Sequence, residues 1–233
     1  HEGAIRLITR LIFVWFLKQR GLIPWQFFDE DYIRENLLDN FNPNAKVDLF
    51  YKAVDSKYYK AILQNLFFAM LNCPICKEGS KEINQRRFSK ADPSDRDNNK
   101  LMRYKSLFKN PDLFLQLANQ RVPFLNGGLF DCLDDKKHKL YYDGFSDSNE
   151  SQKQLRVPDY LFFGENVGKN IDLSEFYGDT NKKKVSARGI IDILKRYNFT
   201  VEENMPFDKD VSLDPELLGK VFENLLASYN PET

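Results

Sequence analysis

The chain has 233 residues, of which 42% are hydrophobic, 14% aromatic and 29% charged; that supports a sizeable core and excludes a chain that is mostly disordered. Lys+Arg and Asp+Glu balance at 34 each, so net charge selects no nucleic-acid or acidic partner, and only local clustering can. The longest apolar run, Leu11 to Leu17, falls far short of the roughly 20 residues that span a bilayer, which predicts no membrane partner. No secretory signal pattern opens the sequence, and 3 Cys argue against a disulfide scaffold, so the expected setting is reducing and cytoplasmic.

The first predicted helix covers 4–20. Ile5, Ile8, Leu11, Ile12 and Trp15 share one face, Gly21 and Pro24 supply the stop, and the apolar second half calls for burial. A short helix fits Asp29–Leu38, and a long one fits 46–71 on the spacing of Leu49, Phe50, Val54, Tyr58, Ile62 and Phe67. Residues 73–105 change texture. Within 77–105 there are nine Lys/Arg, five Asp/Glu and few apolar residues, the pattern of a solvated insertion or mobile loop. Order is expected to return at Asn110-Pro111-Asp112, where Asn caps, Pro takes the first helical position and Asp complements the dipole of a helix over 110–119. Glycines and prolines punctuate 120–180, predicting loops with a few short strands. Two more helices are predicted, at 185–197 and at 214–228. The second has Asp214 as cap, Pro215 after it, and a stripe of Leu217, Leu218, Val221, Phe222, Leu225 and Leu226. The expected fold is therefore mainly α, with a minor β component (α+β). It is an irregular helical domain over 1–233 with a loop-rich middle.

Few motifs carry chemistry. Gly164-x3-Gly168-Lys169-Asn170 is one residue short of a phosphate loop and lacks the hydroxyl that would hold Mg²⁺. Cys73 and Cys76 have zinc-knuckle spacing, and Cys132 with His138 could complete four ligands, giving a zinc-stabilised interaction module as one alternative. Asp112, then Asp135 and Lys137, fit the loose pattern of an autonomous Mg²⁺-dependent nuclease, although Asp112 opens a helix where that pattern needs a strand. Charge distribution says more. Residues 181–196 carry six Lys/Arg against one Asp, whereas 202–233 carry eight Asp/Glu against two Lys. Lys182, Lys183, Lys184, Arg188, Lys195 and Arg196 are the candidates for contacting a DNA backbone, with Arg86, Arg87 and Lys90 a second choice; the bland alternative is a solvated helix face.

Five strings in order are more specific than any of these motifs. They are Leu66-Phe67-Phe68-Ala69-Met70-Leu71-Asn72, Val122 to Phe130, Val157-Pro158-Asp159, Tyr197 to Asn204, and Leu213 to Leu225. Together they resemble the large single-chain DNA adenine methyltransferases of type IIG restriction–modification systems and their phage-defence relatives. The resemblance implies a helical connector, a fragment of a larger protein that lies ahead of the methyltransferase domain and has that domain as its partner in cis. The FYTP-type, Gly-containing and NPPY-type motifs that follow in the family do not occur here. S-adenosylmethionine, methyl transfer and DNA binding are thus implied for the parent protein, with or without endonuclease activity, and no catalytic, cofactor or metal residue is assigned to this chain.

Overall fold

The computed structural model describes residues 2–44, 56–74, 86–90, 95, 98–125, 128–146, 155–164, 170–171, 174–186 and 188–196. Helix α1 (Glu2–Gln19) ends as predicted: Gly21 takes φ +72°, and Leu22 N donates to Leu17 O while Gly21 N donates to Lys18 O. These paired bonds cap the last carbonyls, and the left-handed φ suits glycine. Leu11, Val14, Trp15 and Leu17 are buried, but Ile5 and Ile8 remain 44% and 45% exposed, so the stripe is covered at its C-terminal half only. Helix α2 starts at Glu30–Tyr32, capped by the Asp29 carboxylate, and continues as a π turn over Ile33–Leu37.

Helix α3 (Tyr58–Leu71) is the centre of the fold and is wound as a π-helix. Apart from Lys60, every residue in it is buried, so it is apolar on all sides and surrounded by the other elements. The polar side chains it buries are held. Asn65 bonds both the amide and the carbonyl of Arg103, and Gln64 Nε2 donates to Asp143 O at 2.6 Å. The predicted N-terminal part of this helix, 46–55, lies outside the described residues.

Helix α4 (Pro111–Arg121) forms as the capping signal predicts, with the Asn110 side chain accepting from Leu113 N at 3.0 Å. Three short helices follow: α5 (Tyr160–Phe163), α6 (Ser174–Tyr177) and α7 (Ile190–Lys195). Strands β1 (Asn170–Ile171) and β2 (Val185–Ser186) pair antiparallel, Ile171 opposite Val185. The chain is mainly helical with very little strand, as expected. The helix predicted from 185 begins only at 190, because Val185 pairs with β1 and Gly189 stays extended at φ −64°, ψ 140°. The segment 214–228 lies outside the described residues.

The tract read as solvated departs from its composition where it is described. Arg86 is 1% exposed, and Leu101 and Met102 are buried. The Arg86 guanidinium donates to the carbonyls of Met70, Cys73, Val122 and Pro123, closing the C-terminal end of α3 against the end of α4.

One core cluster unites α1, α2, α3, α4, α5 and α7. Irregular chain between 128 and 146 is tied to it by buried charge. Arg10, 1% exposed, pairs with Asp143 at 2.5 Å, donates to Leu129 O and Asp131 O, and lies 4.8 Å over the Phe68 ring. Asp134 accepts four successive amides, from Asp143 to Ser146, at 2.6–2.9 Å. Removing one partner of a buried pair leaves the other charge uncompensated, so Asp143→Ala should destabilise the fold by about 3–5 kcal/mol in urea denaturation.

Candidate nucleic-acid interface

The six candidate cations sit on a short path from a 3₁₀ turn to α7. Asp179 caps that turn, accepting from Asn181 N at 2.9 Å, and the turn holds Lys182 and Lys183. Lys182, Lys183 and Lys184 are all exposed. After β2 the chain enters α7 through Gly189. A Cβ there would lie 2.3 Å from Phe162 O and 2.6 Å from Gly164 N, so only glycine allows this approach of α7 to α5. Ile191 and Leu194 then face the core, which leaves Arg188, Lys195 and Arg196 outside.

The outward groups of α7 differ in their partners. Asp192 lies between two arginines, 3.6 Å from Arg188 and 3.4 Å from Arg196, each one helical turn away. That carboxylate partly neutralises the positive edge. The spacing Arg188-x3-Asp192-x3-Arg196 already carries this signal in the sequence. The charge of Lys195 is felt by groups on α1 and beside α2. Burial, and then the Lys195 charge, lower the pKa of Lys18 from its ordinary value. Burial raises the pKa of Glu30, and the charges of Arg34 and then Lys195 oppose that rise. This coupling of Lys18 to Lys195 spans most of the sequence, and no spacing rule reveals it. The Lys182–Lys184 run puts three consecutive exposed cations on the candidate surface.

The second choice does not assemble into such a surface. Arg86 is the internal clamp already described. Arg87 pairs with Asp95 at 2.6 Å, and Lys90 N donates to the same carboxylate. The bonds from Arg87, then from Lys90, hold Asp95 well below the usual carboxylate range. These bonds tie Asp95 to residues 87–90.

The other sequence candidates are dispersed. Cys73 is buried with its thiol toward Pro74 O, and burial pushes the Cys132 thiol far up. His138 is exposed and bonds Asp135 at 2.6 Å; Asp135 also accepts from the amides of Lys137 and His138. The His138 contact is the main reason its pKa is lowered. Asp112 is exposed in the first turn of α4. Among the described residues no three His, Cys, Asp or Glu side chains group to hold a metal ion, and Cys76 lies outside them. Residues 165–169 of the phosphate-loop lookalike also lie outside. No described helix is long and apolar enough to cross a membrane.

The three strings that fall among the described residues have a spatial relation. Val157 N donates to Ser56 Oγ, and the Asp159 carboxylate accepts from Lys57 N and Tyr58 N, so Val157-Pro158-Asp159 caps the start of α3. At the other end Leu125 N donates to Leu71 O, and Asn72 Nδ2 donates to Asp131 beside the 122–130 string, both at 2.8 Å. The two loop strings grip the two ends of the helix that carries the first string. Comparison with family models, with curated proteins and with solved structures finds no match.

Gly189→Ala should force its new methyl into the Phe162 carbonyl. A loss of about 1–3 kcal/mol is expected, with faster amide exchange in α5 and α7 than in α3.

Proposed function

We propose that the chain is the helical connector of a restriction–modification DNA adenine methyltransferase, which positions the catalytic domain and touches the DNA backbone through its basic edge. The observation that carries the reading is the grip on α3. Three of the five strings behind the family resemblance are joints of one scaffold, Asp159 capping its start and Leu125 and Asn72 closing its end, while Tyr197 to Asn204 and Leu213 to Leu225 lie outside the described residues. The buried acids Asp143 and Asp159 and the half-buried Asp134 all serve as acceptors for backbone amides, as expected of a rigid spacer. In this reading S-adenosylmethionine and the transferred methyl group belong to the parent protein's next domain. The chain contributes shape and a few phosphate contacts.

Contacts to phosphate alone fix position without reading sequence. Binding to duplex DNA should be weak, on the order of 10⁻⁴ to 10⁻⁶ M near physiological salt, and should fall steeply as salt rises. Charge reversal at Lys182, Lys183 and Lys184 together should weaken binding at least about tenfold and flatten the salt slope, read by fluorescence anisotropy on duplexes of unrelated sequence. Unchanged affinity and slope would return this run to a solvated face. Arg188→Ala should have the smaller effect, because Asp192 already pairs with that guanidinium.

Calorimetry separates the connector reading from an autonomous enzyme. The 233-residue chain should give no heat with S-adenosylmethionine, whereas a polypeptide extended through the following domain should bind it and methylate adenine. Micromolar affinity in the 233-residue chain would overturn the proposal. Mg²⁺-dependent plasmid cleavage that is lost with Asp135→Asn would instead favour the nuclease alternative.

A further inference from the structure

Arg188, Asp192 and Arg196 recur every fourth residue, which sets all three along one face of α7 and its flanks. Their contacts converge on a single atom. Arg188 Nη1 lies 3.6 Å and Arg196 Nη2 3.4 Å from Asp192 Oδ2, so the two nitrogens are at most about 7 Å apart. Like charges this close repel, and the carboxylate between them holds them together.

Exposure fixes which side of this triad meets water. The Asp192 side chain is 17% exposed, against 38% for Arg188 and 52% for Arg196, so the carboxylate lies inward and the guanidinia outward. The buried Oδ2 accepts no hydrogen bond, so both are charge contacts that commit no N–H donor. Two cations and one anion leave the triad one positive charge. Its supports are rigid. Arg188 precedes Gly189, whose backbone is pressed against α5, and Arg196 follows the helix that buries Ile191 and Leu194.

Two outward guanidinia at this spacing suit a phosphate. A phosphate that accepts from two donors at about 2.8 Å, through different oxygens, fits between nitrogens roughly 5–8 Å apart. We infer that Arg188 and Arg196 close as a clamp on a single phosphate group, with Asp192 as the positioning residue that keeps the clamp assembled. That the group is a phosphodiester of the DNA backbone rests on the connector reading. The Lys182–Lys184 run would differ, its separate ammonium groups meeting separate phosphates.

A titration of inorganic phosphate into the 233-residue chain, followed by NMR of the arginine Nε–Hε groups, tests the clamp without DNA. The Arg188 and Arg196 signals should move together on one binding curve, and Arg188→Gln should weaken the response of Arg196 about fivefold or more. Independent curves, or no saturable response, would overturn the inference. Fluorescence anisotropy on duplex DNA tests the source of the phosphate. Arg188→Gln and Arg196→Gln should each weaken binding about threefold and the double substitution only about fivefold, because either loss already opens the clamp. The salt slope of the double variant should fall by about 0.9, the value for one phosphate. In an Asp192→Asn background the two losses should become additive. A multiplicative double effect with a slope change of about 1.8 would mean two separate phosphates and would overturn the clamp. A shared response to inorganic phosphate in a chain that does not bind duplex DNA would uphold the clamp and overturn the DNA reading.

Discussion

Irregular polypeptide can be buried only if its amides and carbonyls find partners inside, and here ionised side chains supply them. Arg10 is the clearest case. It projects from α1 into the 128–146 loop, pairs with Asp143 and takes the carbonyls of Leu129 and Asp131. Asp143 in turn accepts Leu133 N, and Asp134 gathers the four amides that follow it in space. Arg86 does the same for carbonyls at the far end of α3. A guanidinium suits this work because its planar fork points several donors at once and stays protonated, which an ammonium does not match. Aromatic packing fills the space between these clamps, with Tyr58 flanked by Phe162 and Phe163 at ring distances of 5.0 and 4.7 Å.

How much of this was legible in the sequence depends on the range of the interaction. Local signals are reliable: the Gly21 stop and the Asn110-Pro111-Asp112 start each correspond to an observed bond or backbone angle. Charge composition misleads at Arg86. A single arginine that meets four carbonyls behaves as core, whatever surrounds it in sequence. Arg10 likewise sits within an apolar stripe whose periodicity says nothing of a buried cation. Val185 has the periodicity of a helix start, yet its pairing with Ile171 makes it strand.

The candidate interface divides in the same way. Exposure of Lys182, Lys183 and Lys184 follows from their run in a polar turn, and the Asp192 pairs follow from four-residue spacing. The approach of Lys195 to Lys18 joins the last described helix to the first, so only the fold reveals it. The grip on α3 gives three of the sequence strings behind the connector proposal a physical role. Its DNA contacts rest on charge placed outward by the glycine-tight seam between α5 and α7.

The clamps also set an order in time. Arg10 pairs with a residue 133 positions later, and Tyr58 N is capped by one 101 positions later. During synthesis α1 therefore emerges long before the carboxylate that neutralises its buried cation, and α3 before the cap for its first turn. Neither can lock until well over half of the chain has left the ribosome. Long-range closure of this kind slows folding and leaves apolar helices waiting in the open. A nascent chain arrested before residue 143 should accordingly bind chaperones that recognise exposed aliphatic and aromatic runs, and release from them should coincide with the arrival of the 134–146 loop.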